Sequence, residues 1–286
     1  MTDERPTENQ RRTPGVEGTI RQIAASDADL VRRLAEIGLD DFETCEECSE
    51  RNNKMFKRLY PSSHPRRGIV AHGRRQVYEP IIYADGDWLA SREHRLNLIP
   101  QAYDLLSAHR GPLYFATIAH PRWQVPLDQL AKANIAAALQ WLRRRTGGIS
   151  DLIVVGGFEP SVRVELIGAP CWSGHLHLVV AGVERPMLRS ALRLQPHLRH
   201  RGARPVTVED VVCLARCLGY ATKRIGTRSV AYVGENGRQQ RRNLPLNTEE
   251  QNEFDRWLLG LPLGSRTILM GCRLHNGKLR KVRSAV

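Results

Sequence analysis

The sequence predicts an α+β fold: a mainly antiparallel sheet with helices on one face, preceded by an N-terminal helical extension. Two observations carry this reading. Apolar extended segments and segments of helical periodicity follow one another in the order βαββα, with adjacent strands joined by a short turn. At 286 residues the chain is also long enough to bury a full core.

Residues 1–17 are polar, charged and proline-containing, and are expected to form a disordered tail. Residues 18–100 are expected to be a helical and loop region. Within it, residues 27–39 read as an amphipathic helix, with Leu30, Leu34 and Ile37 at helical spacing, Ser26 as N-cap and Gly38 near the end. A second helix is expected over residues 46–60, and Pro61, Pro65, Gly68 and Gly73 mark a linker. Residues 101–225 form the expected central domain: strand 113–118, helix 127–145, strands 152–155, 162–167 and 175–180, helix 186–194, then helix 208–224. Residues 226–286 are expected as a basic extension, with a loop over 226–243, one helix over 249–259, and a tail carrying Lys278, Arg280, Lys281 and Arg283.

The formal net charge is +13, from 43 Lys and Arg against 30 Asp and Glu, which favours an acidic polymer, and nucleic acid above all, as partner. No apolar run approaches the roughly 20 residues needed to cross a bilayer, and the polar start Met1-Thr2-Asp3-Glu4-Arg5 lacks a signal-peptide core. A cytoplasmic protein without a membrane partner is expected. Six cysteines at irregular spacing do not form a secreted disulfide framework. Cys45 and Cys48, or Cys213 and Cys217 with His197 and His200, would be the places for zinc, although Cys213 and Cys217 read better as small core-facing residues.

The chemistry is concentrated in two motifs. In Trp172-Ser173-Gly174-His175-Leu176-His177-Leu178-Val179-Val180, strand alternation puts His175 and His177 on one face and Leu176, Leu178 and Val180 on the other. Two imidazoles on one face suit a single divalent cation. Some forty residues later, Tyr220 and Lys223 are three apart in a segment that reads as helix, which sets a phenol beside an ammonium. Hard cations such as Mg²⁺ or Mn²⁺ also want a carboxylate. Glu165 qualifies if strands 162–167 and 175–180 form a hairpin about Cys171, since it then lies opposite His177.

Together with the strand Leu113-Tyr114-Phe115-Ala116-Thr117-Ile118, these motifs resemble the HUH endonuclease superfamily, in particular the rolling-circle replication initiators, over roughly Pro112 to Lys223. An apolar strand ending in Thr, a histidine pair preceded by Trp, and a Tyr-x-x-Lys follow in the family's order. The residue between the histidines is Leu176 where the initiators often have Pro. Position 224 is Arg, so the second tyrosine of two-tyrosine members is missing. The resemblance implies a ferredoxin-like or RRM-like fold and adds Glu159, in Gly156-Gly157-Phe158-Glu159, as the second candidate carboxylate ligand, which it favours over Glu165. It further implies that Tyr220 attacks a phosphodiester of single-stranded or locally melted DNA, giving a 5′-phosphotyrosine and a free 3′-hydroxyl, with Lys223 holding the phosphate. Arg143, Arg144, Arg145, Arg224, Arg241 and Arg242 are candidates for phosphate contacts, along with Arg199 and Arg201. No Walker-type loop is present, so unwinding would need a host helicase. Replication initiation is the leading expectation. A transposase or mobilisation relaxase of the same superfamily, and a non-catalytic DNA-binding regulator, are the alternatives. A histidine-triad hydrolase is disfavoured because Val179 stands where that family needs its third histidine.

Overall fold

A computed structural model describes residues 28–59, 84–194 and 205–282. The expected disordered tail, the linker at 61–73, and His197, His200, Arg199 and Arg201 lie outside them. The chain begins with a helix over residues 28–36 (α1), followed by α2 (Cys45–Leu59) and α3 (Trp88–Ser107). Next come β1 (Tyr114–Pro126), a short 3₁₀ turn at Leu130–Lys132, α4 (Ile135–Thr146), β2 (Ile153–Val164), β3 (Cys171–Ala181) and α5 (Arg185–Leu192). The remainder is β4 (Val206–Asp210), α6 (Leu214–Ala221), β5 (Thr227–Val233), β6 (Gln239–Pro245), α7 (Thr248–Leu259), β7 (Thr267–Met270), β8 (Cys272–His275) and β9 (Lys278–Lys281).

The fold is α+β, built on a curled mixed sheet. Its strand order is β4-β1-β3-β2-β5-β6, and β7 pairs with β2 beside β5 along the same edge. All these pairings are antiparallel except β2–β5. Helices cover both faces, not one. On one face Leu176, Leu178 and Val180 pack with Val154 and Phe158 against Ala138 and Leu142 of α4, Leu188 of α5 and Phe254 of α7. On the other, Val155, Val179 and Ala181 pack against Leu34 of α1, Leu96 and Ile99 of α3, and Ala215 and Leu218 of α6. The cause is visible in β3, where both alternating sets are apolar at Leu178-Val179-Val180-Ala181, so each face needs a cover.

Several expected elements change. The two strands at 152–155 and 162–167 are one strand, β2, and its partner β3 extends back to Cys171. The helix expected over 127–145 starts only at Ile135, because the Asn134 side chain accepts from the Ala137 N–H and caps it there. The helix expected over 208–224 divides into β4 and the short α6; Val206-Thr207-Val208 is β-branched and pairs with β1. The loop expected over 226–243 is instead the β5–β6 hairpin. The helix expected at 249–259 is α7, whose Asn247 and Glu250 form a reciprocal capping box.

One glycine sets the depth at which α6 lies on the sheet. A Cβ at Gly157 would stand 2.5 Å from the Ala221 carbonyl oxygen, so the end of α6 rests directly on the β2 backbone. Gly157→Ala should therefore cost about 1–3 kcal/mol through forced displacement. Gly148→Ala, which meets no atom within 4 Å, should stay within about 0.5 kcal/mol of the parent. Urea unfolding checks the pair, and equal midpoints would show that α6 is not held by this contact.

Candidate active site

The register between strands assembles the site. Antiparallel pairing places His175 opposite both Glu159 of β2 and Ala119 of β1, and His177 opposite Gly157 and Thr117. Thr117, Glu159, His175 and His177 thus share the face that carries Val155 and Val179 further along. That face is apolar where α3 and α6 cover it and becomes polar where the cover ends.

His177 and Glu159 are buried, at 6% and 5% exposure, which is unusual for such groups without a partner or ligand. The His177 Nε2 and Glu159 Oε2 atoms are 3.0 Å apart. Oε2 is buried, with the His177 ring nitrogen as its close polar neighbour. The other carboxylate oxygen, Oε1, lies 3.2 Å from Lys223 Nζ. On its far side the His177 ring meets Thr117, with Nδ1 and Oγ1 separated by 3.2 Å. His175 has its Nδ1 3.3 Å from Ser161 Oγ and its Nε2 3.4 Å from Ser173 Oγ. Its ring centroid is 6.1 Å from that of His177.

Burial by itself would raise the Glu159 pKa, but the His177 contact and the Lys223 charge hold the carboxyl below its ordinary value. Burial, with the neighbouring His177, pushes His175 down to about 4. His175 is therefore a neutral imidazole at neutral pH, the form that coordinates metals.

Tyr220 approaches from α6. Its ring meets His177 edge-on at 4.9 Å, while Phe115 of β1 stacks on His177 at 6.1 Å. Lys223 Nζ lies 3.8 Å from the centre of the Tyr220 ring. The phenol and ammonium are adjacent, but not through helical spacing: α6 ends at Ala221, and the Lys223 N–H closes a turn onto the Tyr220 carbonyl. Tyr220 is 47% exposed, which leaves it accessible to a large substrate. The sheet core, the edge of α6 and its turn together hold five side chains, Thr117, Glu159, His177, Tyr220 and Lys223, in contact with one another.

Other expected residues lie elsewhere. Glu165 is not opposite His177, because β2 and β3 pair as continuous strands with Gly157 at that level and Glu159 opposite His175; Glu165 instead bonds Arg163 and Arg241. Arg143, Arg144 and Arg145 are exposed on α4, over the sheet face opposite the histidines. Arg242 is exposed on β6, and Arg224 is buried at 2% exposure. Cys213 and Cys217 pack against the core under α6, while Cys45 is exposed and Cys48 buried. Trp172 faces away from the site, stacks on Phe254, and donates to Glu253 at 2.7 Å, so its role here is in the core. Phe115, Ser161 and Ser173 were missed by sequence reasoning. Alternation from Thr117, Glu159 and His175 would have placed them on the same face.

Two ligands at right angles, each about 2.1 Å from a small divalent ion, stand roughly 3 Å apart. The His177–Glu159 pair has that separation, so these two residues fit such an ion. His175 shares the face, but its ring nitrogens lie against the two serines, and among the described residues no three His, Cys, Asp or Glu side chains surround one point. Among the same residues, no helix is long and apolar enough to cross a membrane. No protein-family model, curated protein or solved structure matches the chain.

Proposed function

We propose that this protein is an HUH-type, one-tyrosine DNA endonuclease and strand transferase, most similar in its motifs to the rolling-circle replication initiators. The observation that carries this reading is the meeting of Tyr220 and Lys223 with the buried His177–Glu159 pair, from two segments separated by more than forty residues. The ferredoxin-like or RRM-like layout belongs to the same proposal. The β1, β2 and β3 core of the sheet and the helix carrying the tyrosine are in keeping with it. The +13 charge favours DNA as the substrate.

In this reading His177 and Glu159 would hold a Mg²⁺ or Mn²⁺ ion, with His175 on the same face as the further imidazole of the motif. That ion would supply Lewis-acid polarisation of a phosphate oxygen. Thr117 fixes the His177 ring through Nδ1, which leaves Nε2 facing Glu159. Tyr220 loses its phenolic proton and attacks phosphorus. The P–O bond to the 3′ oxygen breaks, and that oxygen leaves as a 3′-hydroxyl after taking up a proton. Lys223, already over the ring, attracts the phosphate. Because the phosphotyrosine keeps the bond energy, attack by a 3′-hydroxyl reverses the step and joins strands. A transposase or relaxase would use the same chemistry, and a regulator would keep only the binding.

Incubation with Mn²⁺ and labelled single-stranded DNA should give a covalent band on a denaturing gel. Tyr220→Phe and the His175→Ala/His177→Ala double variant should abolish it. If the parent protein binds DNA yet forms no adduct with any divalent ion, the DNA-binding regulator becomes the better account. Independently of turnover, Mn²⁺ titration by calorimetry should show affinity reduced by about 10–100-fold in Thr117→Val, since it removes only the partner that orients His177. Unchanged affinity in that variant would remove His177 from the metal set.

A further inference from the structure

Beside Tyr220 opens a cleft of about 620 Å³, a size common for small-ligand sites. One wall is the end of α6 and its turn, with Arg216, Tyr220, Lys223 and Arg224. The other comes from the N-terminal region, with residues 38–43, Arg51, Trp88 and Arg95. That second wall precedes the segment that bears the superfamily motifs, so it is a feature of this chain and not of the motif set.

The electrostatics of the cleft are unbalanced. Arg95 bonds Glu43, and Lys223 bonds Glu159. Arg224, 2% exposed, donates through Nη2 to the Gly86 carbonyl and lies 4.0 Å over the Trp88 ring. Its Nε and Nη1 atoms have no hydrogen-bond partner among the described residues. A buried guanidinium with two idle donors is costly unless an anion reaches it. Burial and the nearby Arg266 accordingly push it down to about 9. Phe42, partly exposed and with the Arg95 guanidinium 4.7 Å from its ring centre, adds an aromatic surface to the same cleft. Asp40 and Asp41, exposed there, can accept hydrogen bonds from an exocyclic base amine.

An anion site, an aromatic surface and amine acceptors in one cavity match the parts of a nucleotide. We infer that this cleft takes one nucleotide of the DNA strand next to the phosphodiester that Tyr220 attacks, with its phosphate on Arg224 and its base against Phe42. The inference rests on the proposed nuclease reading for the identity of the strand, but not on turnover.

The test is equilibrium binding of a short, labelled, mixed-sequence single strand to full-length Tyr220→Phe protein in excess EDTA, read by fluorescence anisotropy. Arg224→Gln and Phe42→Leu are each added to that background. Both should raise Kd by about tenfold, the effect of one lost stacking or phosphate contact. Thermal melting by circular dichroism shows whether each variant is folded. Should Arg224→Gln not fold, Phe42→Leu, which keeps an apolar side chain, still decides. Unchanged affinity in the folded variants overturns the assignment, as does a parent that binds no single strand. Competition by mixed deoxynucleoside monophosphates at the same concentration as the strand would also overturn it, in favour of a free nucleotide. Failure of the nuclease reading is seen separately: Kd shifts as expected while the tyrosine-bearing protein forms no adduct with Mn²⁺.

Discussion

The approach of the α6 end to the Gly157 backbone is the constraint on which the candidate site depends. Strand β2 carries Glu159 two residues beyond that contact, and α6 carries Tyr220 one residue before it. With the Ala221 carbonyl seated where a side chain would otherwise be, the phenol and the Lys223 ammonium are brought to the edge of the apolar cover, over His177. A bulkier residue at 157 would lift the whole turn. The site is thus positioned by packing between a strand and a helix end, and the hydrogen bonds act on groups that are already close.

The sheet below it gives the site rigidity. His175 and His177 are on β3, with β1 and β2 paired on its two sides, so the backbone that carries the imidazoles cannot shift without breaking ladder bonds. The opposite face of the same strand is filled by Trp172, Leu176, Leu178 and Val180, all essentially inaccessible. Each such large apolar side chain contributes on the order of 1.5–3 kcal/mol by burial. This large stabilisation on one face tolerates, on the other, a buried carboxylate. Local cost at a candidate functional site, offset by packing elsewhere, is the expected distribution.

Much of this was legible in the sequence because it followed local periodicity. Alternation in 175–180 gave the face of each histidine, and Thr117 entered through its motif; its bond to His177 gives that threonine a physical reason. Glu159 and Glu165 could not be separated without knowing where β2 begins and ends, because 152–155 and 162–167 read as two strands in what is one continuous strand. The structure separates them by register. Other elements were hidden for a different reason. Helix α3 buries residues on all sides, among them Trp88, Arg92, Leu96, Leu98 and Ile99, and so lacks an amphipathic stripe. The β5–β6 hairpin is exposed along almost all of Gln239–Pro245, and Gln-Gln-Arg-Arg-Asn shows no apolar alternation. Long-range contacts such as Arg224 over Trp88 have no local signal at all.

Charge accounts for how the two halves of the site would act together. As it stands, Glu159 is shared between Lys223 and the His177 ring, so one negative group is matched by one ammonium. A divalent ion taken up by His177 and Glu159 adds two positive charges to a nearly neutral cluster and competes with Lys223 for the carboxylate. The ammonium, weakened in its hold on Glu159 and already 3.8 Å from the Tyr220 ring centre, would then be available to a phosphate. On the proposed reading, the resulting excess of about two charges, in a region where buried groups are weakly screened, would favour the phosphodiester. Without the ion, the Lys223–Glu159 pair leaves the cluster nearly neutral. On the proposed reading, metal uptake and strand binding therefore reinforce each other through one carboxylate, and Glu159 is the residue at which they are coupled.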